Sequence, residues 1–490
     1  MIKKITVALI IILVFHMTFA QAAELNMRID ENTVLNTARL EMYGMNNEWG
    51  NELGFWYDST GKIRKEVLDG VAGYPFVLNR FAGGSSKWFL WKNSRGAIGD
   101  RQPYVQAINR QSGEPAVCIY GIVEAVKPIL MVQPDAKFSY CVNPYFDSVE
   151  NVADVVEYMT GDGTINYNGG ENWAQKRIED GLEEPVNVAI WEISNEADYQ
   201  IGIDEYLEGA KRAIAAIRSV DPDAKIAAHT KSDDTSTVGY DWHRRVMKEL
   251  GNDIDYIVMH KYYAHKGVAR VAEKLLIDVE NDLIDFGLAD RVKIIYTEHA
   301  SSYLGNYADR FENWPKNHSM SGVLNENDFF CRMWQHPTFY AANYHGFRCA
   351  VWNMVYEDSD GKVKPNALFD LYKLYVQKAV GDVVKVDLDG YLPGAASDVS
   401  GAAIRNKDGR LNIFLTNFST LGTTDINFSF GKKYRLAAKT VISGDDIYAN
   451  NYIDRKEISI TTENCNDNTE FNHCVLPNIA VMILELEELK

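Results

Sequence analysis

Apolar residues gather along this chain in short runs that do not alternate with polar ones, and stretches of helical period separate them. Eight such runs recur, over residues 40–47, 75–82, 128–133, 188–195, 225–230, 256–262, 292–298 and 347–354. Val-Ala-Ile-Trp and Tyr-Ile-Val-Met, within the fourth and sixth, are apolar at every position, as strands covered on both faces are. Between the runs, the segments that open at Ser148 and Asp204 space their apolar residues three and four apart, the first behind a serine in the N-cap position. Alternation of β and α predicts a closed (β/α)8 TIM barrel, which carries its chemistry at the C-terminal ends of its strands.

After about residue 380 the texture changes to short alternating runs broken by Gly, Asn and Asp, such as Leu-Asn-Ile-Phe-Leu-Thr from Leu411 and Ala-Val-Met-Ile-Leu-Glu-Leu from Ala480. Period-two alternation of this kind predicts an antiparallel β-sandwich. At the other end, two lysines precede an apolar run over 5–15 and small residues around Ala20 to Ala23. That reads as a secretory signal peptide, so the chain is expected to be secreted, extracellular or periplasmic. The apolar run is short of the roughly 20 residues a bilayer span needs, so no membrane anchor is expected. The expected organisation is a signal peptide over 1–23, a barrel over 24–380 and a sandwich over 381–490, with an early strand at 25–34 joining the sandwich.

A formal charge of -18 repels phosphate backbones and anionic membrane surfaces, which argues against nucleic acid as a partner. Of the six cysteines (Cys118, Cys141, Cys331, Cys349, Cys465 and Cys474), only Cys465 and Cys474 are close enough in sequence to nominate as a bridge. No pair has metal-ligand spacing, and buried free thiols are the plainer reading of the other four.

Two glutamates carry the candidate chemistry: Glu196, closing Trp-Glu-Ile-Ser-Asn-Glu, and Glu298, closing Ile-Ile-Tyr-Thr-Glu. A glutamate at a strand end is, taken alone, more often a cap or a surface charge. Two on strands of one barrel supply what retaining cleavage of a glycosidic bond requires, an acid/base and a nucleophile roughly 5–5.5 Å apart. Asn195, beside Glu196, is placed to hold a sugar hydroxyl. The two carboxyls need environments that push their pKa values apart, and a phenol from Tyr262 or Tyr263 donating to one of them does so. Arg80, His260 and Trp352 also fall at expected strand ends. Trp191 reads as barrel wall, and Asp358-Ser-Asp-Gly-Lys as a turn rather than a calcium loop. His229 and His260 lack a correctly spaced further ligand, so no metal and no cofactor is expected. Trp49, Phe55, Trp56, Trp88 and Trp91 after the first two strands either line a sugar cleft or pack beneath loops.

These motifs resemble those of the clan A retaining glycosidases, most closely the family 51 α-L-arabinofuranosidases, over about residues 36–380 plus the trailing sandwich. Tyr-Gly-Met-Asn-Asn-Glu-Trp-Gly is similar to that family's Gly-x-x-x-Glu-x-x-Gly region, which implies that Glu48 binds sugar hydroxyls. Asn-Arg-Phe-Ala-Gly-Gly-Ser-Ser is similar to Arg-x-Pro-Gly-Gly-Asn, which implies that Arg80 braces the nucleophile. Asn195-Glu196 is similar to the acid/base motif, His260-Lys-Tyr262 to its His-x-Tyr, and Glu298 stands where the nucleophile does. Ala82 and Ser85 replace the family's Pro and Asn, and His299 follows the nucleophile where Trp is common. The resemblance implies a hydrolase removing α-L-arabinofuranosyl groups from polysaccharide or oligosaccharide by double displacement. A same-clan endo-glycanase, xylosidase or agarase-like hydrolase is the nearest alternative, and a non-catalytic carbohydrate-binding barrel the remote one. Oligomeric state is not legible in the sequence.

Overall fold

The computed structural model describes residues 23–47, 53–58, 60–87, 90–97, 100–101, 103–108, 115–117, 120–230, 237–263, 269–301, 319–348, 352–452 and 455–489. Residues 1–22 of the expected leader, Glu48, Trp49, Trp88, Cys118 and Cys349 lie outside these residues, and Ala23, expected to end the leader, opens a strand.

Eight parallel strands close into a barrel: Gly44–Asn47, Leu78–Phe81, Lys137–Val142, Val188–Ile193, Ile226–His229, Tyr256–Tyr263, Lys293–Ser301 and Phe339–Tyr344. Six overlap the expected runs, and two expectations were misplaced. Residues 128–133 belong mostly to the helix Ile122–Val132, and the third strand is Lys137–Val142. Pro128 removes a donor from that helix, and the Glu124 carbonyl it would have served accepts instead from the Tyr57 hydroxyl at 3.4 Å. The eighth strand is Phe339–Tyr344 rather than 347–354, so Trp352 sits in the loop beyond it.

Alternation inside the barrel explains how an apolar fold delivers a polar site. Leu78, Ile190, Ala227, Val258, Ile295 and Ala341 pack into an interior plug, and their outward neighbours, Trp191 among them, join the core beneath the helices. Two residues further along each strand the same inward face carries Arg80, Glu192, His229, His260, Thr297 and Asn343, all buried. Helices cover the outside; one of them, Val149–Thr160, is capped where Ser148 Oγ accepts from the Asn151 amide at 3.1 Å.

The second unit is a nine-stranded sheet that is antiparallel except at one pairing, where Ala23–Ala38 runs parallel to Thr424–Phe430. That early strand also pairs antiparallel with Gly381–Leu388, which ties the beginning of the described chain to its last quarter. Leu411, Ile413 and Leu415 face the sheet's own core, while Phe414 turns to meet the Trp334 ring at 5.0 Å beyond the helix Met320–Met333. Cys465 and Cys474 are free thiols, so the nominated bridge is absent; Cys465 follows the strand Ile458–Asn464 and Cys474 lies in His473–Leu476, at opposite edges of the sheet order. Cys141 and Cys331 are buried free thiols. Phe55, Trp56 and Trp91 are buried and pack rather than line a cleft, and Asp358 Oδ1 closes a turn by accepting from the Asp360 and Lys362 amides.

An ion cluster on the barrel flank gives a pH-dependent contribution to stability. His336 lies 3.1 Å from Glu280 and 3.5 Å from Glu273, both on the helix Ala269–Asp285. Burial pushes this imidazole down, but hydrogen bonds and charge from the two glutamates win and raise it to about 9. A raised folded pKa means the contribution is fully present below the unfolded value near 6.5 and is lost as pH climbs through about 9, at most about 3 kcal/mol. Urea unfolding across that window is expected to show the decline in the native protein and a flatter profile in His336→Gln. An equal slope in both would assign the decline to other groups.

Candidate active site

Arg80 organises the mouth of the barrel. Its guanidinium is fully buried and donates from Nε and Nη2 to the two oxygens of Glu192 at 2.6 and 2.7 Å, from Nη1 to Glu298 at 2.8 Å and Asn46 at 3.1 Å, and from Nη2 to Asn195 at 2.7 Å. One planar cation thereby joins groups from strands one, four and seven to its own strand two, which a point-charge ammonium cannot do. The Gly83 Cα lies so close that an added Cβ would meet Arg80 Nη1 at 3.0 Å, and its φ of +24° adds a second reason for glycine there.

Glu298 receives the second of its donors from the Tyr262 hydroxyl at 2.7 Å, which settles which of the two candidate phenols reaches the carboxylate. Tyr263 points outward instead, to Glu326 at 2.6 Å and His299 at 3.1 Å. Burial would raise the Glu298 pKa, but the charges of His260, His345 and Arg80 and the Tyr262 hydrogen bond outweigh it and hold the group well below the ordinary carboxylate range. Trp352 lies over this corner, its ring 5.3 Å from Tyr262 and 4.9 Å from His345, with its indole N–H on the Ser301 carbonyl at 2.9 Å.

His260 stands between the two carboxylates. Its Nδ1 is 3.2 Å from Glu196 Oε1 and 3.6 Å from Glu298 Oε2, and its Nε2 is 2.9 Å from Thr297 Oγ1. Burial pushes this imidazole down, yet Glu298 and Glu196 raise it overall. Glu196, whose other oxygen is 3.8 Å from Lys87 Nζ, is lowered: burial raises it, as does Glu298, but the His260 hydrogen bond and the charges of His260 and His229 prevail. Both shifts favour the charged pair, an imidazolium at His260 beside an ionised Glu196. Glu196 has φ +46°, and Ser194 and Ala82 also have positive φ, so strained backbone clusters at the two strand ends that converge here.

Every expected site residue among those described comes to this one mouth: Arg80, Asn195, Glu196, His260, Glu298 and Tyr262 in direct contact, and Trp352 through Tyr262. Glu48 lies outside the described residues. Asn46, Glu192, Thr297, Lys87 and His345 were not anticipated. Counting in twos from Ile190 reaches Glu192, and from Ile295 reaches Thr297, so interior alternation was the usable signal for these two. Among the described residues two clusters have metal-ligand proximity, Glu192 with His229 and His260, and Glu196 with His260 and Glu298. Arg80 holds both oxygens of Glu192, and His260 faces Thr297 and Glu196 through its two nitrogens, so a cation in the first cluster would have to displace Arg80.

Residues 77–275 match the family described as Alpha-L-arabinofuranosidase 1 domain. The described structure has a TM-score of 0.78 to the α-L-arabinofuranosidase of Thermotoga maritima solved with arabinose, at 20% identity and covering 95% of this chain and 100% of that one. It has a TM-score of 0.79 to a family 51 α-L-arabinofuranosidase from Bifidobacterium longum, at 16% identity and the same coverage. The chain resembles the family 51 α-L-arabinofuranosidases. At these identities the structural likeness carries the fold, a closed parallel barrel beside a mostly antiparallel sheet, and the motif matches carry the sequence side of the resemblance. In sequence, 274 residues are 28% identical to an intracellular exo-α-(1→5)-L-arabinofuranosidase of Acetivibrio thermocellus, over 54% of this chain and 48% of that protein. The aligned stretch thus spans about half the length of that relative. This relative and one from Halalkalibacterium halodurans are both named intracellular, which overturns the expectation of a secreted protein drawn from the apolar N-terminus. No helix among the described residues is long and apolar enough to cross a membrane.

Proposed function

We propose that this chain is a retaining, exo-acting α-L-arabinofuranosidase that removes arabinofuranosyl groups from polysaccharide or oligosaccharide by double displacement. The observation that carries the reading is the approach of the two carboxylates. One oxygen each of Glu196 and Glu298 and a nitrogen of His260 lie within 4.8 Å of one another. That fits the roughly 5–5.5 Å gap of retaining enzymes and is too close for the water that inverting enzymes hold between carboxyls roughly 6.5–9.5 Å apart.

Glu298, ionised and oriented by Arg80 and Tyr262, attacks the anomeric carbon while the bond to the leaving oxygen breaks. Glu196 delivers a proton to that oxygen. His260 is the neighbouring proton store, and the Nδ1···Oε1 contact at 3.2 Å is the route by which a proton reaches Glu196 as substrate excludes water. In the second step Glu196 takes a proton from the water that releases the sugar from Glu298 and hands it back to His260 across the same contact, which returns the site to its starting state. Asn195 presents its carbonyl to Arg80, which leaves its NH2 to donate to a sugar hydroxyl. The barrel over 24–380 is the catalytic unit of this proposal, and 381–490 with the strand at 25–34 is its support.

Aryl arabinofuranoside, xyloside, galactoside and glucuronide assayed side by side test the sugar: turnover is expected with the first. Strong turnover of another, or only of internal bonds in a polymer, would transfer the site to a same-clan hydrolase of different specificity. Glu196→Ala tests the acid/base. Substrates with poor leaving groups should slow by about 10²–10⁴-fold, activated aryl glycosides far less in the first step, and azide should speed release of the sugar. Equal losses on both kinds of substrate would leave Glu196 with a structural role only.

A further inference from the structure

We infer that the rim beside Glu196 is a subsite for a leaving-group sugar that bears a carboxylate, with Lys87 as its counter-charge. The inference rests on the proposed function for the side of Glu196 that the leaving group occupies. Lys87 closes the turn Gly83–Lys87, which follows the second barrel strand through the positive φ of Ala82. Its Nζ lies 3.8 Å from Glu196 Oε2, the oxygen that His260 does not hold, and its side chain is 19% exposed. Among the described residues Glu196 is the anion that Lys87 pairs with.

A general acid stands within hydrogen-bond reach of the oxygen it protonates. The ammonium of Lys87, next to that acid, is therefore a few ångströms from the first sugar on the leaving side. The pairing has a consequence for charge. When Glu196 takes up its proton it becomes neutral, and the partly buried Lys87 side chain is left without the anion it faces. A carboxylate on the leaving sugar restores the pair at the moment the acid is needed, so the anion and the protonated acid favour each other. The chain carries a formal charge of -18, which repels acidic saccharides in general, so accepting one requires a local cation at the mouth. On the same rim Tyr199, three residues after Glu196, is 59% exposed, the kind of ring on which a sugar face stacks. The ligand class is thus a uronic acid residue to which the arabinofuranosyl group is attached.

Binding measured without turnover separates this inference from the reading it rests on. Methyl glucuronoside and methyl galacturonoside, each against the glycoside of the corresponding neutral sugar, are titrated into the full chain by calorimetry or ligand-observed NMR. At least one uronoside is expected to bind roughly tenfold more tightly than its neutral counterpart, with the advantage shrinking severalfold between about 0.02 M and about 0.5 M ionic strength. Lys87→Met should remove the advantage and Lys87→Arg should keep most of it, circular dichroism checking that both fold. An advantage unchanged in Lys87→Met, equal binding of charged and neutral glycosides, or no binding of any of them overturns the subsite. Failure of the aryl arabinofuranoside assay, by contrast, would overturn the proposed reaction and leave these binding results standing.

Discussion

Glu298→Ala is expected to lower kcat/KM on an aryl arabinofuranoside by on the order of 10⁴-fold or more, because it removes the atom that forms the glycosyl-enzyme bond. Added azide is expected to restore part of the activity. The methylene and carboxylate removed leave a small space facing the anomeric carbon, and that space is lined by donors that served an anion, Arg80 Nη1 at 2.8 Å and the Tyr262 hydroxyl at 2.7 Å from the lost oxygens. A small anion entering there attacks from the face Glu298 used, with Glu196 still in place to protonate the leaving oxygen. The product is then a glycosyl azide of configuration opposite to the substrate, which NMR identifies directly. Wild-type turnover in the variant would remove Glu298 from the mechanism. A glycosyl azide that keeps the starting configuration would mean the anion attacked from the other face and would put the nucleophile elsewhere.

Why the carboxylate pair could be read in the sequence, and much of its support could not, follows from where each interaction runs. Asn195 and Glu196 are adjacent, and His260 and Tyr262 are two apart on one strand, so a local motif holds them. The Arg80 to Glu192 ion pair spans 112 positions, and nothing local in Trp-Glu-Ile marks that glutamate as a partner rather than a surface charge. Glu192 interrupts an apolar run because the barrel's inner face turns polar at its mouth, two residues beyond Ile190. The same effect hid two strands. Lys137–Val142 begins on a lysine and buries Ser139, and Phe339–Tyr344 buries Asn343, so hydropathy fell where the backbone was most enclosed. A helix with more continuous apolar residues, Ile122–Val132, stood beside the first of them and drew the assignment to itself. Lys87 entered no motif because its partner lies on another strand end, reached only once the barrel has closed.

Arg80 carries the second large expected effect, on stability as well as rate. Arg80→Ala leaves Glu192, which is fully buried, with the Thr297 hydroxyl at 3.1 Å and His260 Nε2 at 4.0 Å among the described residues, and deprives Glu298 and Asn195 of their shared donor. Breaking a buried ionic network by removing one member costs about 3–5 kcal/mol, because the remaining charges stay desolvated. Urea unfolding is expected to show a loss of that size, smaller at low pH where the stranded carboxylates take up protons. The sign follows from Glu298: its folded pKa is depressed in part by Arg80, so Arg80 stabilises the fold above the ordinary carboxylate range, and that contribution fades as pH falls. Arg80→Lys separates charge from geometry. One ammonium keeps a positive charge near Glu192 and Glu298 but cannot donate in parallel to both Glu192 oxygens while also reaching Asn46 and Asn195. That variant should recover much of the stability while kcat/KM stays at least about 100-fold down, the scale of loss that follows when a reacting group is misplaced by about 1 Å. The acid limb of its pH profile should also move toward neutrality as Glu298 loses part of the field that keeps it ionised. If Arg80→Lys recovered activity and stability together, charge alone would account for Arg80, and the forked geometry that joins four strand ends would have no catalytic consequence.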